Sequence, residues 1–279
     1  MKNKIYFQCA VSESCQKKKT RMGYYYTKQG YALVAEESPS THCFGGEVYH
    51  QGDLCPVCKI PFLLLADLDC VALREIEKTK LFSELDRLPL YYCWKCCAEK
   101  LSYQVSKDSI KVFKNEGKPQ GDDFPYVGFP TKFEKRPVKL VPIPYETAKL
   151  LAVAQEIDSY WLTEQDLMAI QNGLQKLRHS WFSKSSFSRH QIGGLLNLAQ
   201  GHDYLVCPNP ICKNHIAAKK FRGTRMMELA VIHNDPHSGL PMCETLEELS
   251  KPSDFNEFVQ VVYWICEECL TITTSNRCD

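Results

Sequence analysis

Eight cysteines constrain this chain more than any other feature of it. They form four close pairs: Cys55-Pro-Val-Cys58, Cys93-Trp-Lys-Cys96, Cys207-x4-Cys212 and Cys266-Glu-Glu-Cys269. Two residues between cysteines let a tight turn aim both sulfurs at one point. Two such turns supply four thiolates in a tetrahedron, the coordination of structural zinc, and the wider spacing of Cys207 and Cys212 stays within the usual two to four residues. A chain that must bring 55–58 onto 93–96, and 207–212 onto 266–269, has few folds open to it. The expected cofactor is zinc, two per chain. A closed site of this kind stabilises a fold and leaves no open position for water.

The competing reading of each Cys-x-x-Cys is a redox dithiol, which usually opens a helix in a thioredoxin-like unit. Here the residues before and after the downstream pairs read as strands. RLPLYY leads into Cys93, and FVQVVYWI leads into Cys266 with LTITT after it. That context and the doubling of the pairs favour metal. Compartment matters too, because a secreted chain could spend the same cysteines on disulfides. The stretch MKNKIYFQCAVSESC has lysines without the apolar segment of an export signal, and the total of 15 cysteines is odd. The expectation is therefore a reducing, cytoplasmic setting. PFLLLADL, the longest apolar run, is too short to span a bilayer and contains Asp67.

Around the cysteines a phrase is written twice. HCFGGEVYHQGDLCPVC (42–58) and HQIGGLLNLAQGHDYLVCPNPIC (190–212) each hold a His, a Gly-Gly, a Gln-Gly and then two cysteines. PFLLLADLD then parallels MMELAVIH, with Leu65-Ala66-Asp67-Leu68 falling on Leu229-Ala230-Val231-Ile232. This ordered match reads as an internal duplication. The expected fold is β-rich α+β, two pseudo-symmetric sheet units each with a zinc-ribbon-like cysteine site. Residues 1–115 would hold the first unit and 145–279 helices plus the second. Residues 116–144, rich in Pro, Gly and charge, would connect them. Residues 70–85 read as a helical insertion. Helices are expected around 145–178, where Thr163 and Asp166 make a capping-box signal and Leu167, Ile170, Leu174 and Leu177 an apolar stripe for core packing.

The remaining chemistry is weaker. Cys9 and Cys15 could be half of a third metal site, with Cys43 or Cys97, though free thiols explain them better; Cys70, Cys243 and Cys278 have no partner at metal spacing. His202, His215, His233 and His237 crowd the second copy without the i, i+4 spacing of a zinc protease. Gly45-Gly46 and Gly193-Gly194 belong to no phosphate-binding loop, and their expected use is positive φ or close backbone approach. Basic runs at Lys17–Arg21 and Lys219–Arg225 lie beside Tyr24, Tyr25 and Tyr26 or enclose Phe221, a pattern compatible with RNA. Solvated loops explain it equally well, and the formal net charge of +1 gives no global pull towards nucleic acid.

The order Gly-Gly, Gln-Gly, Cys-Pro-x-Cys and apolar strand resembles the YwqG-like family, a bacterial domain of unknown function. CPVCKIPFLLLADLD…RLPLYYCWKC is also similar to the zinc-binding segments of the programmed cell death protein 2 family. The resemblance covers roughly residues 40–106 and 187–274. Glu47 and Leu195 stand where an aromatic or proline usually follows the glycines. It implies a duplicated β-rich fold and, as in some members of the family, cysteine-bound zinc. Its second family further implies a role like that of ribosomal-protein chaperones. From residues and resemblance together, the expected function is a non-catalytic protein-interaction or chaperone-like module, its protein partner unnamed. The alternatives are an RNA-binding zinc ribbon and a zinc hydrolase or thiol redox enzyme.

Overall fold

A computed structural model of the chain describes residues 29–77, 82–96, 100–119, 132–144, 190–194, 203–219, 225–234 and 259–277, with isolated positions between them. The helices expected around 145–178 lie almost wholly outside these residues, and Cys9 and Cys15 lie outside them altogether.

Eleven strands are present among the described residues: β1 (Tyr31–Ala35), β2 (His42–Phe44), β3 (Leu63–Asp69), β4 (Arg87–Tyr92), β5 (Leu101–Val105), β6 (Ile110–Asn115), β7 (Arg136–Pro142), β8 (Gln191–Ile192), β9 (Met227–His233), β10 (Gln260–Ile265) and β11 (Thr271–Arg277). Helix α1 (Cys70–Glu77) follows β3, and the short α2 (Lys213–Ala218) precedes β9. Asp69 starts α1 by accepting the Val71 and Ala72 N–H groups at 2.8 and 3.1 Å, an N-cap that leaves fewer orphan donors.

The strands form one sheet in place of the two expected, in the order β4-β3-β2-β7-β1-β8-β9-β10-β11-β5-β6, with every ladder antiparallel. The sheet curls until its β4 edge meets tyrosines from across the core. Tyr91 N–H donates to the Tyr103 hydroxyl at 2.8 Å, and the Tyr103 and Tyr263 hydroxyls donate to the Pro89 and Leu90 carbonyls. These rings pack with Leu65, Leu68, Leu88 and Leu90 in the main core. A smaller core holds Leu196, Leu198, Val231, Val262 and Trp264 beside three cysteines of the second group.

The segment read as a connection carries β7, which sits near the middle of the sheet. Its prolines hide it. Pro137 lies next to the start of the strand and gives its carbonyl to Glu36 N–H, and Pro142 is the last residue, so the missing N–H groups fall at the ends of the strand. β1 and β7 pair with each other, Val34 opposite Lys139. Each also crosses over. β1 pairs β8, the strand before the second Gly-Gly, and β7 pairs β2, the strand before the first.

The registers on the two sides of this pair match residue by residue. Phe44 lies opposite Ala66 and Ile192 opposite Ala230. The β3–β4 ladder skips Leu65 and the β9–β10 ladder skips Leu229. Gly45 N–H donates to the Leu65 carbonyl and Gly193 N–H to the Leu229 carbonyl. The imidazole Nδ1 of His42 accepts Asp69 N–H, and that of His190 accepts His233 N–H.

Candidate metal centres

The first cysteine pair sits on a knuckle between β2 and β3. Cys55 N–H donates to the Ile60 carbonyl and Lys59 N–H to the Cys55 carbonyl, each at 2.9 Å. Val57 N–H points at Cys55 Sγ, 3.4 Å away. The second pair lies in the turn that ends β4. In the other group, Cys266 N–H donates to the Thr271 carbonyl and Leu270 N–H to the Cys266 carbonyl, the same closure as at Cys55. Its partner is built differently. Cys212 N-caps α2, and its N–H is taken by the Asn209 carbonyl.

Both knuckles demand a left-handed residue four places after their first cysteine. Lys59 has φ 62° and Leu270 φ 57°, the two non-glycine residues with positive φ among the described residues. That conformation costs an ordinary side chain about 1–2 kcal/mol. The sequence carries no glycine there to announce it.

Cys55 Sγ lies 3.7 Å from Cys96 Sγ, and Cys58 Sγ 3.7 Å from Cys93 Sγ. In the second group Cys207 and Cys269 are 3.6 Å apart and Cys212 and Cys266 3.8 Å. Within each group all four sulfurs lie within 4.8 Å of one another, an arrangement that could hold a metal ion. A disulfide would need about 2.05 Å. A tetrahedron of thiolates around one ion with bonds of about 2.3 Å places sulfurs about 3.8 Å apart, which fits both groups.

The surrounding donors suit thiolates. Asn115 Nδ2 donates to Cys55 Sγ at 3.1 Å, and Thr271 Oγ1 lies 3.0 Å from Cys269 Sγ. Crowding splits the thiols. Burial pushes the Cys93 thiol up, with the Cys55 sulfur adding to it, and burial pushes Cys96 up to about 12. Burial opposes ionisation of Cys55, but hydrogen bonds from the Cys58 and Val57 N–H groups and from the Cys93 and Cys58 side chains together hold this thiol below its usual range. The hydrogen bond with Cys266 raises Cys207, and the hydrogen bond with Cys207 lowers Cys269. A dication entering either group would displace the thiol protons.

The histidines take other parts. His215 donates Nδ1–H to the Cys207 carbonyl at 2.7 Å, and His233 is buried against Gln260. Among the described residues neither belongs to a group able to hold a metal; His202 and His237 lie outside those residues. Cys70 is buried, its thiol pushed up to about 12 by that burial, as expected of an inert packing cysteine. Of the basic runs only Lys219 and Arg225 are described. No helix among the described residues is long and apolar enough to cross a membrane.

No family model, curated protein or solved structure matches the chain.

Proposed function

We propose that the chain is a zinc protein with two structural four-thiolate centres, built on an internally duplicated body, and that it works by binding another protein. The sulfur geometry carries the metal reading: two groups of four, spaced for tetrahedral coordination, each complete without water. The matched registers support the duplication, as does the resemblance to a duplicated zinc-binding family. Among the described residues neither downstream Cys-x-x-Cys opens a helix, which favours structural metal over dithiol exchange.

Support for protein binding comes from the knuckle surfaces. Leu54, Val57 and Ile60 are exposed around the first, and Tyr204, Ile211 and Ile216 around the second. Val57 and Ile211 hold the same place, directly before the second cysteine of their pair. Apolar side chains gathered on a surface mark interaction sites. Native mass spectrometry of protein purified without added metal should find two zinc ions per chain; fewer than one removes the reading. Affinity capture from the source cells should lose its partner in Val57→Asp/Ile211→Asp protein that keeps both ions. Capture unchanged by that variant would refute docking at the knuckles.

A further inference from the structure

The apolar side chains exposed at the first knuckle do not stand alone. The stretches that build the first sulfur group also bring lysines to it. Lys59 closes the knuckle by bonding the Cys55 carbonyl, and Lys95 lies in the turn between Cys93 and Cys96. Lys118 N–H donates to the Cys96 carbonyl at 3.2 Å, and Glu116 N–H to the Lys100 carbonyl at 3.0 Å. Lys114 directly precedes Asn115, whose amide reaches Cys55 Sγ. Lys59, Lys100, Lys114 and Lys118 are exposed, and Lys95 is half-buried. Among the described residues of 51–61, 93–100 and 114–119, these five lysines stand against two acids, Asp53 and Glu116. Glu116 is already paired with Lys114. On the same knuckle Leu54, Val57 and Ile60 are 52, 38 and 39% exposed.

An aliphatic surface ringed by positive charge has two demands on a partner. The aliphatic side chains gain when another apolar surface covers them. The lysines attract anions, disfavour cationic partners and speed encounter. Nucleic acid meets these demands poorly. Its bases stack on aromatic rings, and the three apolar residues on the knuckle are aliphatic. Arginine is the residue of choice for phosphate, and these stretches contain none. Carboxylates remain, carried on a chain that has apolar side chains of its own.

We infer that the first knuckle docks an acidic segment of a partner protein. Apolar side chains of the segment cover Leu54, Val57 and Ile60, and its carboxylates lie against the surrounding lysines. The inference rests on the protein-binding reading and deepens it, by naming the partner's chemistry and assigning it to one knuckle. The second group differs at the matching turn: Glu267 and Glu268 stand between Cys266 and Cys269, where the first group has Trp94 and Lys95.

The test uses the full, metal-loaded chain and the fluorescein-labelled probe peptide Glu-Asp-Leu-Glu-Glu-Leu-Leu-Asp, followed by anisotropy. Saturable binding is expected. It should weaken at least about tenfold between about 0.1 M and about 1 M salt, as the screening length falls from about 10 Å to about 3 Å. Lys100→Glu/Lys114→Glu/Lys118→Glu should bind at least about tenfold more weakly, and Leu54→Ser/Val57→Ser severalfold more weakly, each with two zinc ions retained. Ile211→Asp should bind as wild type does. On the wild-type chain a peptide with Gln and Asn in place of its acids should not saturate, a comparison that needs no variant to fold. Absence of saturation by the acidic peptide, equal binding of the neutral one, equal binding by the lysine variant, or an equal loss in Ile211→Asp would each overturn the inference. So would displacement of the peptide by an equal concentration of single-stranded oligouridylate, which would make RNA the ligand. If the lysine variant still captures the cellular partner that Val57→Asp/Ile211→Asp loses, this inference falls and docking at the knuckles stands.

Discussion

Replacing Cys93 and Cys96 with serine removes half of the first thiolate group and tests what that group does for the fold. Cys58 and Cys93 meet at 3.7 Å although they lie 35 residues apart in sequence. A cross-link closing a loop of that length lowers the entropy of the unfolded chain by about 4 kcal/mol at 25 °C. A metal bridging the same residues supplies a constraint of the same kind, and zinc binding contributes further, on the order of 10 kcal/mol in small peptides. The lower figure alone is a large part of the 5–15 kcal/mol that holds a typical domain together. For a chain of this size it corresponds to a fall of about 8–16 °C in Tm. The assay is calorimetry with metal content measured on the same sample. The variant should bind one zinc ion and melt at least about 8 °C lower. Cys70→Ala, which removes a buried thiol outside either group, should keep two ions and lose much less. A double-serine variant with one ion and a wild-type Tm would refute the structural role of the site.

Burial lowers the pKa values of His42 and His50 below the usual histidine range, so the unfolded state binds the extra protons. The stability they confer is complete above about pH 6.5 and declines as pH falls towards their folded values; a Tm that rises on acidification from pH 7.5 to 5.5, at constant metal content, would contradict this. Lys59→Gly should raise Tm by a few degrees, because glycine adopts φ 62° without the penalty of a side chain, and a lower Tm with both ions bound would show that the lysine does something else. Tyr103→Phe should cost about 1–3 kcal/mol in denaturant unfolding, since it strands the buried Tyr91 N–H and Pro89 carbonyl, and a neutral result would mean that water or backbone movement satisfies them.

The pairing of cysteines was legible because metal chemistry fixes spacing, and β3, β4, β9 and β10 because buried strands write continuous apolar runs. The alignment of Leu65-Ala66 with Leu229-Ala230 joins the two residues that the β3–β4 and β9–β10 ladders skip, a bulge that nothing in the sequence announced. β7 was not legible: Pro137 and Pro142 and two exposed lysine-arginine positions give RPVKLVP the composition of a loop, and only its neighbours make it a strand. Nor was the crossing of β1 and β7, since nothing in a strand's own residues says which distant edge it will join. Lys59 and Leu270 concealed their left-handed backbone because hydrogen bonds at the knuckle, rather than glycine, enforce it. The Asp67 carboxylate, held by the Tyr49 hydroxyl and by Arg87, showed in the sequence only as one charge in an apolar run.

The crossing of β1 and β7 has a consequence for how the chain is made. Ribosomes deliver residues in order, at roughly 5–20 per second. β1 leaves first, yet its ladder partners are Leu140 on β7 and Ile192 on β8. For roughly 5–20 seconds of synthesis Leu33 and Val34 therefore have neither neighbouring strand, and β2 waits as long for β7. Residues 31–142 supply the contiguous run β4-β3-β2-β7-β1, whose β1 edge then stays open until β8 is made. The growing sheet thus carries an unpaired β1 edge across the synthesis of residues 143–190, the kind of edge that can pair with another chain.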